Sequence, residues 1–532
     1  MLQTGPSDKV VRSLAPVSVK DMGEGEWEVD FGETVTGWVS LSGLRSIPRG
    51  HEIEVVYPRA EYGNGIQKYI SSGRRSESYS PRFTWYTFSK VLVRGYENPL
   101  QARQLRADVV HSDIASTGEF ECSDELINKI NEVWRRTQLL NMHMGVPTDC
   151  PHRERGPYTG DGQVSCVTVM HNFDADAFYR KWLRDISDCQ LSDGYVPNGA
   201  PWHVGCGGGV PWGAAMNIIP WEHYLHYGDI SVLEEHFQAM KAQLEWMRTS
   251  ILPDGTMLQA RKDKNGKELR WFNLGEWCAP YNTPERGLVH SYYLWKCADY
   301  TARAAKVLGL NEDAAVFSDL AENTAEAFHR KFYNPSTRSY GNNDGSNVFA
   351  LDMGVPDSLR SIVLGSLKQE IKTNGGHLNT GIYGTRLFFE VLCRYGLEDM
   401  AYEAMTKTDW PSYGYALVQG SDTMWEFWDG RNSRVHPMFG GGLVWLYRNL
   451  AGVWTDESQP GYKHIIIKPQ PAGKITWVRY STLTRYGTVA VRWERSAGRF
   501  RMSVDIPEGS TATVYMPTDG RIVELSSGHY EL

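Results

Sequence analysis

Apolar and polar positions alternate with a period of two near both ends of the chain and follow a helical period between them. From about residue 15 to 118, the segments Trp27–Phe31, Thr36–Leu41, Glu52–Tyr57 and Phe83–Phe88 each alternate, with Gly and Pro between them. This predicts an N-terminal β-sandwich over residues 1–118. The period changes at Gly118–Ser123. Ser123, followed by Asp124 and Glu125, reads as a helix N-cap with acids in the first turn. Leu126, Ile127, Ile130, Val133, Trp134 and Leu140 then fall on one helical stripe. Further helices are predicted over 173–190, 230–250, 288–309, 312–332, 357–373, 382–396, 397–407 and 440–450. So many amphipathic helices between 119 and 455 can close into a double ring, although periodicity alone fits other helical arrays as well. After Gly452 the strand pattern returns at 464–468, 475–479, 488–492, 500–504 and 511–515, which predicts a C-terminal antiparallel β-sandwich over 456–532.

The chain has 532 residues, with room for two to four domains. Its formal net charge is -8, and no Lys/Arg run offers a surface for a phosphate backbone, so nucleic acid is excluded as a partner. No apolar run is long enough to span a bilayer, and residues 1–9 contain no signal-like stretch. The expectation is a soluble protein without membrane insertion, with periplasm and cytoplasm both open. The eight cysteines are scattered without the close pairs of a zinc or redox site, so buried free thiols are expected. The 19 Trp and 28 Tyr exceed what core packing asks for, and some are expected to line a carbohydrate cleft.

Candidate chemistry concentrates in two stretches. Asp149-Cys-Pro-His-Arg-Glu-Arg-Gly-Pro-Tyr-Thr-Gly-Asp161 places Asp149, Glu154 and Asp161 beside Arg153, Arg155 and Tyr158. Its prolines and glycines predict a stiff loop that aims charged groups at something. Met424-Trp-Glu-Phe-Trp-Asp-Gly430 sets Glu426 between two tryptophans. Two acidic loops with aromatic neighbours suit glycosidic cleavage: one carboxyl protonates the leaving oxygen, the other activates water, and flat rings pack on the sugar. Glu154 is assigned as general acid and Glu426 as general base, with Trp428 walling the cleft. The plainer readings are a surface ion cluster around Glu154 and a buried Glu426 paired to Arg431 or Arg434. His436 can donate to a sugar hydroxyl. Glu276 and Trp277, in Trp271–Trp277, are further ligand contacts. The glycines before Trp212 allow close backbone approach, with Trp221 beyond them. No nucleophile elbow, zinc helix, phosphate loop or calcium loop is present, and no metal or organic cofactor is expected.

At these residues the chain resembles the inverting α-L-rhamnosidases of glycoside hydrolase family 78. The Asp149–Asp161 stretch is similar to that family's Asp-Cys-Pro-x-Arg-x-Glu-Arg signature, one residue shorter. Thr423–Gly430 resembles its Trp-Glu-x-Trp-Asp-Gly segment, and His436 with Gly442–Gly452 resembles its closing helix. Weaker likenesses at Asp30–Trp38, Trp212–Trp221, Leu274–Trp277 and Pro411–Tyr415 follow the family's order. The resemblance implies an (α/α)6 barrel flanked by β-sandwiches and release of terminal α-L-rhamnose, with inversion, from an oligosaccharide, polysaccharide or glycoside. It implies sugar contacts at Asp149, Arg153, Tyr158, Asp161, Trp221, Trp277 and His436. Tyr158 stands where Trp is frequent, Ala214 where Asp is, and Glu276 where Asp is. These departures bear on the sugar and its aglycone. They leave open a hydrolase of another terminal sugar on the same scaffold, or a sugar-binding protein that has lost catalysis.

Overall fold

The computed structural model describes residues 5–58, 65–201, 209–269, 274–341, 344–496 and 498–532. The N-terminal part is built on one 19-residue strand, Glu26–Leu44, rather than on separate short strands. Trp27, Val29 and Phe31 alternate inward from it. Its pairing with Tyr86–Arg94 shifts register between Asp30 and Val35, where Gly32 takes a φ of 83°. The sheet order is Asp8–Leu14, Leu105–Ser112, Glu26–Leu44, Tyr86–Arg94, Glu52–Val56 and Ile66–Ile70. Ser18–Gly23 and Glu77–Tyr79 also pair with the long strand. This sheet encloses its own hydrophobic core.

The helical part alternates between two kinds of segment. Glu125–Leu139, Asp176–Cys189, Ser231–Arg248, Asn311–Phe332, Asp357–Thr373 and Glu398–Met405 each bury one stripe. The segments between them are Thr159–Asn172, Ala215–Tyr227, Arg286–Val307, Ser346–Met353, Ile382–Arg394 and the run Met438–Leu443 with Leu446–Leu450. These are buried on most sides. They pack on one another in chain order, and the last closes on the first. Six enclosed segments inside six one-sided helices make an (α/α)6 barrel, and the seam is tight. Trp134 of the outer Glu125–Leu139 helix donates to Pro437 O at 3.0 Å. Gly440 leaves room for that indole, since a Cβ there would lie 1.7 Å from Trp134 Nε1.

Several expectations need correction. The first helix is capped by Asp124, which accepts from Leu126 N and Ile127 N, while Ser123 Oγ accepts from Thr476 N. Thr159–Asn172, Ala215–Tyr227 and Ser346–Met353 were not predicted. The strand Gly118–Cys122 pairs with Trp477–Thr484 and so completes a five-stranded C-terminal sheet. The second C-terminal sheet is not wholly antiparallel: His464–Ile467 runs parallel to Thr511–Tyr515. Both C-terminal sheets share a continuous core with the barrel. The described cysteines are all free thiols. Among the described residues, no helix is long and apolar enough to cross a membrane, and no His/Cys/Asp/Glu group is arranged to hold a metal.

Candidate active site

The stretch from Asp149 to Gly156 closes on itself. Asp149 N donates to Gly156 O at 2.9 Å, and Gly156 N returns a bond to Asp149 Oδ1 at 2.8 Å. Arg155 completes the turn with a φ of 53°. The closed turn presents Glu154 outward, with 34% of its side chain exposed. Tyr158 Oη donates to Glu154 Oε2 at 2.9 Å and Arg153 Nη2 donates to Oε1 at 3.1 Å. The predicted loop ends sooner than expected, because Tyr158 is the N-cap of the Thr159–Asn172 helix and Asp161 lies in its first turn. Gly160 makes that start possible: a Cβ there would lie 2.3 Å from Tyr383 Oη and 2.7 Å from Trp212 Nε1.

The second loop is held by its own backbone. Glu426 N donates to Ser433 O and His436 N to Met424 O, both at 2.9 Å. This fold-back brings His436 beside Glu426. Glu426 Oε2 accepts from Ser433 N at 3.0 Å, and Oε1 from Asn432 Nδ2 at 3.3 Å. Its cation is neither Arg431 nor Arg434. Arg431 pairs with Asp429 and lies over Phe427, while Arg434 lies over Trp425. Instead Arg153 Nη1 donates to Glu426 Oε2 at 3.2 Å.

One guanidinium therefore joins both glutamates. Its terminal nitrogens are close together, so the bonded carboxyl oxygens lie within roughly 9 Å of each other. Asp149 and Asp161 complete the cluster. Burial pushes the Asp149 carboxyl up to about 7, reinforced by the Glu154 charge and opposed by donors from Cys150 and Gly156. Burial also holds Asp161 well above the carboxylate range, together with the charges of Asp149, Glu426 and Glu154. These effects outweigh the helix N-terminus, which favours an anion at that position. His436 is pushed down to about 3 by burial and by the Arg153 cation, so its imidazole is neutral near pH 7. Its Nε2 lies 3.5 Å from Asp161 Oδ1, a polar contact rather than an ion pair.

Trp277 packs near the second loop, 6.4 Å from the Phe427 ring and 6.4 Å from Trp212. Trp428 is buried, its ring 4.1 Å from Phe439 at a tilt of 39° and edge-on to Tyr413. Two predicted contacts have other work. Glu276 accepts from Trp277 N (3.1 Å), Tyr383 N (2.9 Å) and Gly384 N (2.7 Å). It caps the Ile382–Arg394 helix and fixes Trp277, and its oxygens are committed to backbone rather than to a sugar. Trp221 packs on Tyr224 and Tyr300 and lines a cavity with Glu390, Arg394 and Trp454. It lies nine residues beyond Trp212, midway along the Ala215–Tyr227 helix. The glycines at 205, 207 and 208, and the first three residues of the Trp271–Trp277 cluster, lie outside the described residues.

The sequence reading missed Asn432, Tyr383 and Cys278. Cys278 is buried with a φ of 60°; its thiol is pushed up by burial and by the charges of Glu426, Asp161 and Glu276. Only the turn-like Gly430-Arg-Asn432 pointed to any of these. The N-terminal sheet reaches both loops as well. Arg155 Nη2 donates to Trp85 O at 2.8 Å, and its guanidinium lies 4.6 Å from the Trp85 ring centre. Asp422, just before the second loop, accepts from Thr34 N at 2.6 Å and Thr34 Oγ1 at 2.9 Å.

A closed (α/α)6 barrel with paired carboxyls on its loops defines a six-hairpin glycosidase scaffold. Residues 115–450 match the bacterial alpha-L-rhamnosidase 6 hairpin glycosidase domain, 452–530 the alpha-L-rhamnosidase C-terminal domain, and 20–111 the alpha-L-rhamnosidase concanavalin-like domain. The chain belongs to the bacterial α-L-rhamnosidase family. It is 30% identical to an alpha-L-rhamnosidase of Formosa agariphila over 96% of this chain and 57% of that protein. The solved alpha-L-rhamnosidase of Dictyoglumus thermophilum superposes with a TM-score of 0.91 at 29% identity, covering 99% of this chain and 64% of that one. The Streptomyces avermitilis alpha-L-rhamnosidase complexed with L-rhamnose gives 0.91 at 28% identity, over 99% of this chain and 54% of that one. The chain thus spans between half and two thirds of the length of these relatives.

Proposed function

We propose that this protein hydrolyses terminal α-L-rhamnosides with inversion of the anomeric centre. The observation that carries this reading is the Arg153 guanidinium bonded to both Glu154 and Glu426. It brings two carboxyls from distant parts of the chain to one guanidinium, and the roughly 9 Å ceiling is compatible with the roughly 6.5–9.5 Å at which a water fits between acid and base. Membership of the family supplies the sugar, and the L-rhamnose in the Streptomyces avermitilis enzyme supports it.

In this mechanism Glu154 gives its proton to the glycosidic oxygen as the bond to the anomeric carbon breaks. Water attacks that carbon from the other face and passes a proton to Glu426. Solvent then returns a proton to Glu154 and takes one from Glu426. Glu154 is the more exposed of the two and faces the leaving group, whereas Glu426 is braced by Ser433 and Asn432 to hold a water. A protonated Asp161 and a neutral His436 offer donors and acceptors to the sugar hydroxyls. Arg153 orients both glutamates, and Trp277 and Trp428 exclude water.

The test is NMR of the first anomer released from an aryl α-L-rhamnoside. Inverted rhamnose is expected. A retained first product overturns the mechanism, and rhamnose binding without turnover of any rhamnoside overturns the activity.

A further inference from the structure

A second depression lies on the N-terminal sheet, outside the barrel. Its volume is about 1050 Å³. Trp38, Tyr79 and Phe83 supply rings to it, and Arg82, Arg103 and Arg106 supply cations. Among the described residues no carboxylate lines it, in a chain whose net charge is -8. Phe83 is fully exposed at 102% of its reference area, on a backbone with a φ of 61°. A bulky residue rarely takes that conformation, and an apolar ring left wholly in water buries nothing in return. Arg106 is built in: its Nε donates at 2.6 Å to Asp108, which is 2% exposed and also accepts from Ser13 Oγ and Ser40 Oγ. The Arg106 side chain stays 59% exposed. Arg82 and Arg103 line the same depression.

Rings for sugar faces, serine hydroxyls, and three guanidinium groups without a lining acid fit a saccharide that carries carboxylate or sulfate. The depression is also continuous with the site through the chain. Trp85, two residues after Phe83 and so at most about 7 Å along the backbone, accepts from Arg155, the neighbour of Glu154. We propose that this depression is a subsite for an anionic stretch of the glycan whose terminal rhamnose enters the Glu154–Glu426 pocket. The assignment rests on the rhamnosidase reading for the terminal sugar but not for binding itself.

Two arms of one experiment separate these. The first is calorimetric titration of the whole protein with an oligogalacturonate tetramer, against neutral cellotetraose as control. The uronate is expected to bind, to weaken steeply with salt, and to lose about tenfold or more in affinity in the double variant Arg82→Ala/Arg103→Ala. Equal binding of both tetramers, or binding unchanged in the double variant, overturns the subsite. The second arm compares kcat/KM of wild type, Phe83→Ala and the double variant on an aryl α-L-rhamnoside and on an oligosaccharide whose terminal rhamnose is linked to uronate. The aryl substrate should be turned over as in wild type, which also shows that the variants fold. The oligosaccharide should lose about tenfold, mainly through KM. Equal losses on both substrates overturn the proposal. Absence of any rhamnoside hydrolysis would remove the activity while the binding arm still decides the depression.

Discussion

The two glutamate loops hold their carboxyls in opposite ways. Among the described residues, the Glu154 carboxyl is held by side chains, those of Tyr158 and Arg153, and it is one-third exposed. The Glu426 carboxyl is 10% exposed and is held by the Ser433 backbone, by Asn432 and by a loop that bonds to itself. Side-chain tethers yield, whereas backbone fixes. A group that must follow leaving groups of different shape gains from the first arrangement. A group that must hold one small water at one place gains from the second.

The sharpest way to break this contrast is to remove each carboxyl's proton chemistry in turn. Glu426→Gln should lower kcat by about 10²–10⁴-fold on every α-L-rhamnoside, because water always needs its base. Glu154→Gln should cost as much on rhamnosyl sugars, but only about tenfold or less on activated nitrophenyl rhamnosides, whose leaving oxygen needs little protonation. Steady-state kinetics on both substrate types reads this directly. Losses independent of leaving group in both variants would erase the distinction between the loops.

Arg153 is where the loops meet, so its removal tests whether they act as a pair. Arg153→Lys keeps the charge but cannot donate to both carboxyls from one planar fork. The expected loss is about 10- to 100-fold in kcat, shared by all substrates. A larger effect on one leaving-group class would place Arg153 with a single loop. Smaller effects are expected where the N-terminal sheet supports each loop. Asp422→Ala releases the Thr34 contacts that precede Glu426 and should cost about 1–2 kcal/mol of stability, with a few-fold loss of kcat on every substrate. Arg155→Ala releases Trp85 and should be felt more on poor leaving groups, since it loosens the acid's turn. Thermal unfolding alongside kinetics on the two substrate types separates these outcomes.

The sequence showed one half of the barrel better than the other, for a physical reason. Outer helices such as Ser231–Arg248 face water on one side, so their apolar residues fall on a stripe. Inner segments are wrapped by neighbours, and in three of them, Thr159–Asn172, Ala215–Tyr227 and Ser346–Met353, the stripe is faint; Thr159–Asn172 also contains Gly160 and Gly162, and Ala215–Tyr227 contains Pro220. Each reads locally as loop, and only the ring around it makes it a helix. The site divides similarly. Glu154 and Glu426 were legible because charged groups crowd with rings and turn residues in short stretches. Glu276 looked the same, but its partners at Tyr383 and Gly384 are 107 and 108 residues away, and no local pattern distinguishes a helix cap from a ligand contact at that range. A buried tryptophan near glycines, such as Trp221, carries no mark in the sequence of the barrel depth at which it sits.

The last expected effect concerns stability alone, and it belongs to the acid loop. Asp149 staples that loop and is 5% exposed, with its carboxyl at about 7 in the folded protein against an ordinary value of 3.8. Between those values the folded chain keeps a proton that the unfolded chain has released. The group's stabilising contribution is therefore complete at low pH and is lost as pH rises through about 7, at up to about 1.4 kcal/mol per pH unit. Asp149→Asn keeps an acceptor for Gly156 N but removes the titration. Unfolding midpoints of the variant should fall less steeply with rising pH than those of wild type, and the gap should open across the interval from about pH 4 to 7. Parallel curves would mean that Asp149 is ionised in the folded loop. The turn that presents Glu154 would then be closed by a charged staple, and the acid loop would lose the pH sensitivity that sets it apart from the backbone-held loop of Glu426.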